Sequence, residues 1–199
     1  MAVAGAVGVA AAAVIIRLVF WGEVRAYLYR NYTEVRAVEG SDWFDYPVGA
    51  PNARGYYRAQ RFAGPSRHLG EDWNGMGGGD SDHGDPVYAI ANGSVSYAEH
   101  TGLGWGNVVR IVHPVRGGDS VEVVYGHLAE MRVPKGDIVR RGQVIGTIGN
   151  ADGAYKAHLH FEIRPKIGLP LGGGYGDNRD GSFLDPTQFI DRHRKKQSP

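Results

Sequence analysis

The sequence predicts an all-β fold: a compact antiparallel sheet closing toward a barrel-like sandwich, with glycine-rich loops walling an open groove. An apolar helix is expected ahead of it. Short runs rich in Val, Ile, Tyr and Phe recur at roughly eight- to twelve-residue spacing from about residue 50 onward. Thirty-one glycines and ten prolines punctuate those runs, as a domain built from many turns requires. No stretch beyond residue 50 sustains a long helical period.

Composition narrows the function classes. The 199 residues make one ordinary domain with appendages, and 42% hydrophobic content is enough for a core. A formal net charge of +1 creates no global field, which argues against nucleic-acid binding by bulk electrostatics. With no cysteine there are no disulfides or thiolate ligands, so any metal falls to His, Asp or Glu. The composition sets no oligomeric state.

Four segments are expected: an apolar signal or membrane anchor at 1–22, a linker at 23–45, the main domain at 46–190 and a basic tail at 191–199. The run "MAVAGAVGVAAAAVIIRLVFWG" carries Arg17 as its one charged side chain. Roughly 20 helical residues span a bilayer core, which favours an anchor or export signal over a core helix. No Lys or Arg precedes the run, whereas Arg17, Arg25, Arg30 and Arg36 follow from within it onward. The positive-inside tendency would leave the domain cytoplasmic, so orientation stays open.

Along the main domain, "PVYAIANGSVSYAE" contains Asn92-Gly93, a strong hairpin-turn signal. "GNVVRIVHP" and "DSVEVVYGHL" flank Gly117-Gly118 and read as a second hairpin. "PKGDIVRRGQVIGTIGN" supplies two short strands, and "AHLHFEIRP" another. The Gly-rich segment 168–182 and "FLDPTQFID" close the domain.

The strand "AHLHFEIRP" puts His158, His160, Glu162 and Arg164 on one face and Leu159, Phe161 and Ile163 on the other. Two solvated histidines would satisfy the His-x-His pair. So would a division in which one ring ligates a metal and the other attends to what the metal binds. A catalytic zinc without cysteine needs three His or carboxylate ligands plus water. "RHLGEDWN" offers His68 and Asp72 in a His-x-x-x-Asp arrangement, where Gly70 disfavours a helix. His127, in "VVYGHL", shares by alternation a face with Val121, Val123 and Tyr125 and is placed at a strand end.

Taken in order, "RFAGPSRHLGED", "DPVYAIANGSV", "GWGNVVRIVH", "VVYGHL", "VPKGDIVRRGQVIGTIGN" and "AHLHFEIRP" closely resemble the lysostaphin-type zinc endopeptidases, which cleave peptidoglycan peptides. The resemblance covers about residues 46 to 190. It implies one Zn²⁺ held by His68, Asp72 and His160, with His127 and His158 as the catalytic pair. It also implies a peptidoglycan peptide substrate and an exported envelope location; the charge balance adds an expectation of no nucleic acid, and the apolar run one of possible anchoring through residues 1–22.

One departure is the long segment "WNGMGGGDSDHG", whose Asp80, Asp82, His83 and neighbouring Asp85 suggest either a second metal site or a mobile loop beside the cleft. The segments Asp72–Asp85 and Gly168–Ser182 are expected to wall the groove. His100, His113 and His193 receive no role. Two rivals remain: a silent scaffold or amidase activator of the same fold, and a carrier domain sharing the "KGDIVRRGQVIGTIG" hairpin rhythm. A carrier has no use for His-x-x-x-Asp.

Overall fold

A computed structural model of the chain describes residues 38, 40–102 and 104–194. The apolar run 1–22 with its expected helix, the arginines at 25, 30 and 36, and tail residues 195–199 lie outside the described residues. Among those described, no helix is long and apolar enough to cross a membrane.

The domain is all-β and antiparallel. Its strands are β1 (Tyr56–Gln60), β2 (Glu71–Gly75), β3 (Pro86–Tyr88), β4 (Gly93–His100), β5 (Asn107–His113), β6 (Val121–Met131), β7 (Ile138–Val139), β8 (Val144–Ile148) and β9 (Leu159–Arg164). They form one nine-stranded sheet in the order β1-β2-β9-β6-β5-β4-β7, with β8 also pairing β6 and β3 pairing β8. The sheet thus forks at β6. Residues 122–126 of β6 pair with β9, and residues 128–131 pair with β8.

Period-two patterning explains the core. Leu159, Phe161 and Ile163 of β9 meet Val121, Val123 and Tyr125 of β6 in one apolar cluster with Ile111, Ile145 and Ile148. A fully buried side chain of this size contributes roughly 1.5–3 kcal/mol. The helix α1 (Pro186–His193) begins with Asp185 accepting a bond from the Gln188 backbone N–H, with proline in its first turn. Its buried Phe189 sets its ring edge-on to Phe44, 5.1 Å between centroids.

The β5–β6 hairpin forms as expected around Gly117-Gly118. The hairpin expected at Asn92-Gly93 does not. β3 pairs with β8, and β4 pairs with β5 and β7, so no two-strand turn exists there. Gly93 serves packing: an added Cβ would lie 2.6 Å from Ile111 Cγ2 and 2.7 Å from the Val112 carbonyl oxygen. Asn92 instead accepts from the Arg141 backbone N–H and, through its own carbonyl, bonds the buried His113 ring. Residues 41–45 belong to the folded body: Ser41 bridges Val115, and Phe44 is fully buried.

Candidate metal centre

Asp72 and His160 are direct cross-strand partners in the β2–β9 ladder, which is why a carboxylate and an imidazole 88 residues apart meet. His68 lies just ahead of β2, bridged to Tyr175. Between them Gly70 passes so close to β9 that a Cβ would sit 2.5 Å from the Phe161 carbonyl oxygen and 2.8 Å from Glu162 Cγ. That close approach brings His68 round to the same point as Asp72.

Among the described residues, His68, Asp72 and His160 are the group whose ligand atoms converge, and all three are buried. His68 Nε2 and His160 Nδ1 are 3.1 Å apart, His160 Nδ1 and Asp72 Oδ1 3.0 Å, and His68 Nε2 and Asp72 Oδ1 3.4 Å. A tetrahedral zinc with bonds near 2.0–2.1 Å asks for donors about 3.3 Å apart. The donor set fits that ion in chemistry and spacing. Two neutral imidazoles and one carboxylate would leave a dication with positive charge to spare.

The electrostatics follow from this crowding. Burial pushes the His68 imidazolium down, against the pull of Asp72. Burial also acts on His160, but the hydrogen bonds and charges of Asp72 and Glu162 override it and hold His160 up at about 9. Asp72 is itself buried, which works to raise its carboxyl. The hydrogen bond and charge of His160, with His68 and His158, more than reverse that and hold it below the usual range.

Glu162 and Arg164 are the residues whose part the sequence does not reveal. Pattern alone puts them on the His158–His160 face, where groove and solvent are the natural destinations. Both are fully buried. Glu162 Oε1 lies 2.9 Å from His160 Nε2, and Glu162 Oε2 accepts from Arg164 Nε at 2.7 Å. Nε2–H is committed to Glu162, so a metal on the Asp72–His68 side would displace only the Nδ1 proton and take that lone pair. Arg164 balances the Glu162 charge and also donates to the carbonyls of Leu169, Pro170 and Leu171. The Gly-rich wall is therefore tied to the strand that carries His160. The signal for these roles was the unbroken parity of β9.

His127 departs from the expected alternation. It lies inside β6, not at its end, and its φ is +63°. Across the β5–β6 pair, Asn107 and Val109 face Leu128 and Tyr125, so β6 carries one extra residue there. This bulge reverses parity, so both Tyr125 and Leu128 point into the core while His127 turns toward His158 and His160. Its ring is 4.7 Å from that of His158 and 5.5 Å from that of His160. Nδ1 of His127 faces the Trp105 carbonyl at 3.2 Å, and Nδ1 of His158 faces the Lys156 carbonyl at 2.7 Å. A carbonyl only accepts, so each ring carries its proton on Nδ1 and leaves Nε2 bare. His158 Nε2 lies 3.8 Å from Asp72 Oδ1. Burial, helped by His160 and His158, pushes His127 down to about 3.

Asp72, His127, His158 and His160 open into a cleft of about 240 Å³ walled by Gln60, Gly104, Trp105 and Tyr155 and by Gly172 to Tyr175, while His68 lies behind them and lines a neighbouring pocket. Trp105 Nε1 donates to the Gly172 carbonyl at 2.8 Å, joining two walls. The Gly168–Ser182 segment thus walls the groove through residues 172–175. Residues 76–85 do not line it. Their acidic groups are each spent as clamps: the buried Asp82 accepts from the Gly75 N–H and the half-buried Asp85 from the Tyr56 hydroxyl. Asp80 accepts from the Lys156 ammonium and the Ala157 N–H. Carboxylates spent on separate donors do not converge on a second cation.

A family model described as peptidase family M23 matches residues 68–172, just over half of the 199 residues. The chain belongs to peptidase family M23. All five candidate residues lie within the matched M23 span. Lipoprotein NlpD of Yersinia enterocolitica is 40% identical over 83 residues, 42% of this chain and 80% of that protein. The DD-carboxypeptidase/endopeptidase Mpg of Neisseria meningitidis is 38% identical over 81 residues, 41% of this chain but 17% of that protein. Among solved structures, the antimicrobial peptidase lysostaphin from Staphylococcus simulans has a TM-score of 0.53 at 25% identity, covering 72% of this chain and 52% of that one. The M23 chain described here therefore matches only part of the Neisseria and Staphylococcus proteins.

Proposed function

We propose that this chain is a zinc-dependent endopeptidase that hydrolyses amide bonds in peptidoglycan peptides, either stem crosslinks or bridges. It acts in the cell envelope, and residues 1–22 tether or export it. The observation that carries the reading is the convergence of His68, Asp72 and His160 beside two further imidazoles whose Nε2 atoms are bare. The names of the Yersinia and Neisseria relatives support the envelope location and the endopeptidase chemistry.

When bound by those three residues, zinc supplies an acidified water and polarises the scissile carbonyl. His158 takes the attacking water's proton on Nε2, with Asp72 3.8 Å away to stabilise the imidazolium that forms. It then returns that proton to the leaving amine. His127, kept neutral by burial, offers its Nε2 only as an acceptor and orients the water. Neither ring can donate to an oxyanion from Nε2 while neutral, because Nδ1 holds the single proton of each. Once protonated, His158 can donate from Nε2 to the oxyanion before it passes the proton on. Trp105, Tyr155 and the Gly172–Tyr175 wall confine an extended peptide over these groups.

The test is mass spectrometry of sacculi digested with the zinc-loaded full chain. Cleaved muropeptides of defined mass are expected, abolished by chelation and restored by zinc, and the masses identify the bond. Stoichiometric zinc with unchanged sacculi would overturn the enzyme reading in favour of a silent scaffold or amidase activator.

A further inference from the structure

The Lys156–Ala157 peptide group is gripped on both sides. Its N–H donates to Asp80 Oδ1 at 2.9 Å, and its carbonyl accepts from His158 Nδ1 at 2.7 Å. The other Asp80 oxygen takes the Lys156 ammonium at 2.9 Å, and Asn74 Nδ2 donates to the Ala157 carbonyl at 3.2 Å. Ala157 is fully buried, so this stretch has little room to rotate. A carboxylate on the N–H of an amide polarises its carbonyl, making that oxygen a better acceptor.

We propose that Asp80 is a positioning residue for His158, acting through the Lys156–Ala157 peptide to fix the ring's angle and its Nδ1–H tautomer. The proposal rests on the role given to His158 above. The carboxylate never touches substrate. It sets the plane of one amide, that amide sets the imidazole, and the imidazole is left with a bare Nε2 aimed at the Asp72 side of the cleft. The arrangement resembles a carboxylate orienting a catalytic histidine, with a peptide bond inserted between the two. It also gives a reason for the segment 76–85, which stays outside the cleft yet sends one side chain to the lead-in of β9.

Removing the clamp lets the 156–157 amide turn, so the His158 ring loses its fixed acceptor and samples both neutral tautomers. The experiment compares the zinc-loaded full chain with Asp80→Ala and Asp80→Asn. It combines two-bond ¹H–¹⁵N spectra of the histidine rings with zinc content, kcat and KM. In Asp80→Ala the His158 signals are expected to move from a pure Nδ1–H pattern to a mixed one. Turnover should fall roughly tenfold or more, with KM within about twofold and full zinc content. Asp80→Asn keeps an acceptor for the Ala157 N–H and is expected to recover most of the tautomer purity and part of kcat. A pure Nδ1–H pattern for His158 in Asp80→Ala overturns the proposal, as does wild-type kcat in that variant. The ring spectra read out even if the wild-type protein cleaves nothing, so failure of the enzyme reading and failure of the clamp are separate results.

Discussion

His160 is held from both ring nitrogens, Nδ1 toward Asp72 and Nε2 toward Glu162, and that double grip makes it the most constrained donor of the cluster. His160→Ala is expected to lose bound zinc and hydrolysis together, as metal analysis with a peptide-release assay would show. His158→Ala should keep zinc and lose about a hundredfold or more in turnover. Glu162→Gln should weaken zinc about 10- to 100-fold in a competitive chelator titration. It also strands a buried Arg164, at a cost of about 3–5 kcal/mol in denaturant unfolding. The double variant Glu162→Gln/Arg164→Met should recover much of that stability without recovering affinity, which separates orientation of the ligand from burial of charge. His68 differs in kind. Its Nδ1 is buried without a hydrogen-bond partner, and its ring packs between those of His160 and Tyr175, 4.9 and 5.0 Å away. These fine points were not legible in the sequence. Parity put Glu162 and Arg164 beside the histidines, but only the packed loop 168–171 shows that they are buried rather than wet.

At the level of elements, the β9 strand was fully readable because one face is apolar without interruption and its partner β6 supplies the matching apolar face. His127 was misread for a specific reason. A one-residue bulge leaves no mark on composition, and strict alternation assigned His127 to the Tyr125 face. Asn92-Gly93 misled in the opposite way. The dipeptide looked like a hairpin turn, but Gly93 is glycine because Ile111 and Val112 crowd it, and long-range pairing chose other partners for β3 and β4. The aspartates of 76–85 were legible as a cluster but not as three separate clamps. Gly70 gives the element-scale prediction. In Gly70→Ala the new methyl meets the Phe161 carbonyl, so β2 must draw away from β9 and carry His68 with it. Zinc affinity measured by chelator competition should fall at least tenfold, whereas Gly70→Ser should be no better; wild-type affinity in Gly70→Ala would count against the close approach as the cause.

For the molecule as a whole, acid is the expected weakness. His113 is fully buried against Asn92 and Tyr125, and burial pushes it down to about 4. Between pH 6.5 and 4 the unfolded chain binds a proton that the folded one refuses, so stability rises with pH across that window. The contribution is complete above pH 6.5 and is lost as the pH falls through about 4, amounting to roughly 3 kcal/mol. Unfolding free energies measured from pH 7 to 4 should show that slope, and His113→Gln should flatten it. The spacing of the ligands has a different kind of consequence, for the order in which the molecule is made. Asp72 and His160 are 88 residues apart, and β9 is the last strand of the sheet. A chain emerging from the ribosome presents β2 long before β9 exists to pair with it. No truncated product that stops short of residue 160 can assemble the three-donor cluster, so the candidate metal site is complete only when the sheet is.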